Sequence, residues 1–165
     1  MILRMSFWNQ LKMLMGLIIM SLLCFLLIYF MQKSFDFKLT FYLLIPYFLM
    51  FLFPVIVIHL NYLIKNQGII FEISKDEILK KDKTNISKYC AQDIEEIIIC
   101  TSGSRNRGNG GLAHSDYYYA KIELLDNSSL IITSLYSSKI DKILKENFKD
   151  VKMRTENVFY PIINY

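Results

Sequence analysis

The 165-residue chain carries 19 Lys or Arg against 15 Asp or Glu, a formal net charge of +4, and 53% of its residues are hydrophobic. The charge is uneven: Arg4, Lys12, Lys33 and Lys38 face a single acid, Asp36, in residues 1–64, so residues 65–165 are almost balanced and lack the strongly basic face that a nucleic-acid partner requires. Cys24, Cys90 and Cys100 form neither a disulfide framework nor a zinc-ligand spacing.

Two runs free of charged residues, 13–31 and 39–64, predict a membrane hairpin. The first is roughly 28 Å long as a helix, close to one hydrocarbon thickness of about 30 Å. The second is roughly 39 Å on the same rise and must tilt, kink or protrude. Pro46 and Pro54 make a kink the natural outcome. A signal peptide is the rival for the first run, but Phe30-Met31-Gln32-Lys33 offers no small-residue cleavage site and a second span follows at once.

Orientation follows from the basic residues flanking the spans. Arg4, Lys12, Lys65, Lys75, Lys80, Lys81 and Lys83 lie on one side, against Lys33 and Lys38 in the short connection. This predicts a protein of the inner (cytoplasmic) membrane with both termini in the cytoplasm, Trp8 and Tyr62 marking the inner interface and Tyr29 and Tyr42 the outer one. Ser21, Cys24, Thr40 and His59 are the polar residues that stand out within the spans. His59, about 9 Å from the end of its span by helical rise, reads as a neutral hydrogen-bonding residue rather than a step in a proton path.

Composition changes after Lys65, dividing the chain into an N-terminal segment with its hairpin, 1–66, and a mainly β domain, 67–165. Residues 69–74 predict a strand with Ile69, Phe71 and Ile73 on one face, followed after Lys75-Asp76 by 77–81 and, after Asp82-Lys83, by 85–90. The β-branched run 94–100 predicts a fourth strand. After the polar, glycine-rich stretch 102–116 comes the clearest one, 117–125, with Tyr118, Ala120, Ile122 and Leu124 on one face and Tyr119, Lys121 and Glu123 on the other. Asp126-Asn127 predicts a hairpin to 130–133. The period then becomes helical: Ile140, Ile143, Leu144 and Phe148 share a face over 138–148, with Ser138 and Asp141 spaced for a capping box. The apolar tail 151–165 predicts an added strand or packed segment.

This order resembles bacterial pleckstrin-homology-like (PH-like) domains joined to membrane helices. The resemblance covers about 68–152 and rests on a strand straight after a membrane helix, the segment Gln92-Asp93-Ile94-Glu95-Glu96-Ile97 leading into the middle strand, and the amphipathic C-terminal helix. It implies bent antiparallel sheets forming a partly open barrel capped by that helix, and a binding or scaffolding role rather than an enzyme. Eukaryotic relatives often bind phosphoinositide through basic residues in the first hairpin, whereas the short turn here is Lys75-Asp76.

Two stretches are candidate sites. Arg105 and Arg107, with backbone N–H groups around Gly108, Gly110 and Gly111, suit an anion or a lipid headgroup, although the order of a P-loop is absent. Val158, Phe159, Tyr160, Ile162, Ile163 and Tyr165 form a candidate partner-docking or dimer segment. No catalytic residues, metal ligands or cofactor site are assigned. Asp93, Glu95 and Glu96 read as a solvated acidic edge, and Cys90, Cys100 and His114 lack ligand spacing. The expected function is therefore a non-enzymatic membrane protein whose domain binds a protein partner or a second copy, with lipid around the two spans. The alternatives are a sensor of anionic lipid headgroups and a hydrolase or transferase built on His114, Asp116 and a serine.

Overall fold

The computed structural model describes residues 1–31, 37–83, 85–103 and 114–164. The chain starts with a two-residue strand, β1 (Ile2–Leu3), which pairs antiparallel with β2 (Ile69–Ser74), Leu3 opposite Phe71. Sequence reading leaves β1 out, since two residues carry no periodicity. The sheet thus draws on both sides of the expected division at residue 66. Among the described residues, the helices of the hairpin lie between these neighbouring strands.

That hairpin runs as α1 (Phe7–Met31), α2 (Phe37–Tyr47), a π-helical turn (Phe48–Leu52) and α3 (Phe53–Asn66). Two of its helical stretches, Phe7–Phe30 and Thr40–Asn66, are long and apolar enough to cross a membrane. The expected irregularity falls between Pro46 and Pro54. The Phe53 N–H reaches back five residues to the Phe48 carbonyl, and Pro54, in the first turn of α3, has no N–H to give. Ser21 of α1 donates to the Leu17 carbonyl and is hydrogen-bonded to the Tyr47 hydroxyl of α2, so a polar pair joins the helices near the bend.

After α3, Gly68 turns the chain at φ +79°, a region that L side chains disfavour. Strands β2, β3 (Glu77–Asp82) and β4 (Asn85–Cys90) then form the expected meander, giving a sheet of order β1-β2-β3-β4. Asp76 takes the positive φ in the β2–β3 turn. A 3₁₀ turn (Ala91–Asp93) leads into the second sheet, of order β7-β6-β5-β8. Its strands are β5 (Ile94–Ser102), β6 (Tyr118–Leu124), β7 (Ser129–Thr133) and β8 (Met153–Val158). The Asp126-Asn127 turn joins β6 to β7, with Asn127 at φ 64°. The tail supplies β8, paired with β5 in parallel, so the sheet is not wholly antiparallel.

One core lies between the two sheets and under α4 (Ile140–Asn147), where Phe71, Ile73, Ile78, Ile97, Tyr118, Ile122, Ile132, Leu144 and Phe148 are all buried. The start of α4 departs from the expected capping box. Lys139 is the N-cap and makes no side-chain cap bond; the Ile140 N–H donates instead to the Tyr118 hydroxyl at 2.9 Å. Tyr118 also donates to Asp141 at 3.2 Å. A side chain from β6 thus does what the sequence assigned to Ser138, because the helix end sits directly over that strand.

Candidate functional site

The face of the second sheet turned away from this core is also covered. Ile98 and Cys100 of β5, Tyr119 of β6, and Tyr117 just before β6 pack on Met13 and Leu17 of α1, on Val55, Ile58 and Tyr62 of α3, and on Ile163 of the tail. The alternation along 118–124 predicted Tyr119 on a solvent face. It is 5% exposed, because the helices lie against it. Tyr62 is likewise sealed at 0% exposure, so it is not the lipid-facing interface marker expected of it. By contrast, Trp8 is 69% exposed, and Leu22, Leu27, Phe30, Tyr42, Leu49 and Met50 leave an apolar surface along the rest of the hairpin.

Polar side chains lock this junction. Asn9 Nδ2 donates to the Tyr136 carbonyl at 2.7 Å, and the Tyr136 hydroxyl lies 2.9 Å from the Ile69 carbonyl and 3.1 Å from that of Asn66. His59 Nδ1 is 2.9 Å from the Tyr117 hydroxyl, which gives this histidine the hydrogen-bonding role expected of it. Asn61 clasps the tail twice: Nδ2 donates to the Ile163 carbonyl at 3.1 Å and Oδ1 accepts the Ile163 N–H at 3.0 Å. The Tyr62 hydroxyl donates to the Pro161 carbonyl at 2.8 Å. The rings of Tyr62, Tyr117 and Tyr119 meet edge-on at centroid distances of 5.8 and 6.1 Å. Sequence reading passes over Asn61; the signal available is an amide two residues beyond His59, near the end of an apolar run.

The candidate tail segment is therefore divided. Ile163 is buried and Pro161 is sealed under Tyr62, whereas Phe159 is 72% exposed. Val158, Tyr160 and Ile162 are half-buried, and Tyr165 lies outside the described residues. Arg105, Arg107, Gly108, Gly110 and Gly111 of the other candidate site also lie outside them.

His114 follows that stretch. It is 3% exposed, wedged against Tyr160 and Phe159 at centroid distances of 5.0 and 6.1 Å, and its Nδ1 has no partner among the described residues. Burial holds its pKa below the ordinary histidine range. Asp116 lines a different depression, shared with Lys12, Ser134 and Ser137, and the His114 Nδ1 meets no serine or aspartate among the described residues. The acidic trio is split as well. Asp93 Oδ2 accepts the Cys90 N–H at 2.7 Å, and Glu96 is held below its usual pKa by Lys152 first and then Arg154, each at 3.1 Å. Asp93 and Glu95 are exposed while Glu96 is buried against its two cations, so the three carboxylates are not gathered into a pair or a cation cage. No cluster of three metal-ligating side chains occurs among the described residues.

The arrangement is two four-stranded sheets with a helical hairpin inserted between the first two strands, and comparison with known families bears on it. A family model of the PH domain matches residues 2–141, from β1 to the start of α4. The chain belongs to the PH domain family. PH domains are generally binding modules for proteins or lipids rather than catalysts. No curated protein and no solved structure gives a significant match. Because the match begins at β1, the two apolar helices stand inside the PH domain rather than ahead of it.

Proposed function

We propose that this PH domain protein is a non-enzymatic integral protein of the cytoplasmic (inner) membrane. In this reading it spans the bilayer twice, keeps both termini in the cytoplasm, and presents its domain to a protein partner or a second copy of itself. The observation that carries the reading is the junction. The β domain and its tail are packed and hydrogen-bonded onto the hairpin through Asn9, His59, Asn61 and Tyr62. A domain held this way has a fixed orientation at the membrane, and confinement there raises its effective concentration toward membrane-bound partners. Adjacency of β1 and β2 supports the topology, since a hairpin that leaves from one strand and returns to its neighbour keeps both its ends on one side. The first connection in the sheet is the hairpin itself, which favours a protein partner over a phosphoinositide held in a short basic loop.

The test places a photo-reactive residue at the exposed Phe159 and, separately, at the exposed Ile86 of the full-length protein in native membranes. A discrete protein adduct from either position is the expected result, and adducts with lipid alone from both would replace the partner with the bilayer. Topology is read at Cys90, which is half-exposed, whereas Cys100 is buried under the helices. An impermeant thiol reagent should label Cys90 only after the cells are permeabilised.

A further inference from the structure

Where α4 passes beside β5 and β8, the packing leaves an open cleft of about 470 Å³, within the range of small-molecule pockets, roughly 300–1,000 Å³. It lies on the face of the second sheet opposite the hairpin. Ile99 and Thr101 line it, while the alternating residues Ile98 and Cys100 pack on the helices. Its walls differ in chemistry. Buried Ile99 and half-buried Val151 and Met153 give an apolar floor. Lys142, Lys145 and Lys149, three and four residues apart, stand exposed along one side.

None of these three lysines makes an ion pair among the described residues. The acid on the same wall, Asp141, already accepts a hydrogen bond from Tyr118. Like charges at this spacing repel one another, and an anion seated between them relieves that cost. Thr155, directly opposite Ile99 in the parallel pair, adds a hydroxyl from the β8 side.

We propose that this cleft binds a small phosphate monoester with a short apolar body, the phosphate on the three lysines and the apolar part on the floor between β5, β8 and α4. Lysine binds phosphate as a point charge, and the buried area of the apolar part adds affinity that inorganic phosphate lacks. Because the cleft opens on the side of the sheet away from the hairpin, the ligand comes from the aqueous phase. The site goes beyond partner presentation and does not depend on membrane insertion, so either can fail without the other.

The test is calorimetric titration of hexyl phosphate, and separately of inorganic phosphate, into the full chain in phosphatidylcholine nanodiscs, with empty discs subtracted. Hexyl phosphate should bind saturably and about tenfold or more tighter than inorganic phosphate. Replacing all three lysines (K142Q, K145Q and K149Q together) should weaken it by about tenfold or more, and raising the salt should do so too. Replacing three lysines of the other sheet (K80Q, K81Q and K88Q together), an equal charge change, should leave binding unchanged. Thr155→Trp, at an exposed position, should block the cleft while the melting temperature holds. Equal affinity in the triple lysine variant, or inorganic phosphate binding as tightly as hexyl phosphate, would overturn the proposal. Competition by phosphatidate placed in the discs would overturn the aqueous source.

Discussion

Tyr62 is the residue on which the helix–sheet junction can be tested quantitatively. Its ring is fully buried against Tyr117 and Tyr119, and its hydroxyl holds the Pro161 carbonyl at 2.8 Å. Tyr62→Phe keeps the ring and removes one hydrogen bond, about 1 kcal/mol, or roughly a fivefold change in an opening equilibrium. Tyr62→Ala also removes the ring and leaves a cavity, costing about 3–5 kcal/mol for an aromatic truncation in a packed site. The tail is held at this point by Asn61 as well, so a natural reporter is the Ile163 amide, which donates to Asn61 Oδ1 at 3.0 Å. Hydrogen exchange of the protein in nanodiscs should show that amide exchanging roughly fivefold faster in Tyr62→Phe and about a hundredfold or more faster in Tyr62→Ala. Amides of β2 and β3, which pack on the other core, should be little changed in Tyr62→Phe. If Tyr62→Ala folds and leaves the Ile163 amide as protected as before, the tail is not held by this junction and the rigid-presentation argument fails.

Two further outcomes follow from buried polar groups. Tyr118→Phe removes the acceptor for the Ile140 N–H and the donor to Asp141, and should lower stability by about 1–3 kcal/mol, read as a lower urea midpoint with an unchanged slope. His114 has its folded pKa depressed by burial, so the unfolded chain binds the proton more readily. Its contribution is fully present above the unfolded value of about 6.5, is lost as the pH falls through the lowered folded pKa, and levels off below that. His114→Phe should flatten the pH dependence of the melting temperature on the acid side of neutrality, and an unchanged slope would place the titrating group elsewhere.

Strands and hairpin alike were readable in the sequence because local signals agree with the final environment. Strict alternation at Ile69, Phe71 and Ile73, turn residues at Asp76 and Asn127, and helical spacing at Ile140, Ile143 and Leu144 each correspond to an observed element. The uncharged runs gave the apolar helices by composition alone, and the two prolines pointed to the break that the structure resolves as a π turn. Such features depend on neighbours within a few residues, which is what periodicity records.

Contacts across long sequence separations were not readable. β1 is two residues long, and its partner lies beyond the whole hairpin. The second buried face of β6 exists only because α1 and α3 return to lie on Tyr117 and Tyr119, a circumstance that a polar-looking alternation cannot announce. Tyr118 capping α4, Asn61 holding the tail, and the three lysines meeting the apolar side of β5 and β8 are likewise products of topology. By itself the sequence determined that two apolar helices accompany a mainly β domain with a C-terminal helix. Tertiary structure alone decided that the helices are built into the PH domain between neighbouring strands, because pairing and packing energies between distant segments depend on the fold that brings them together.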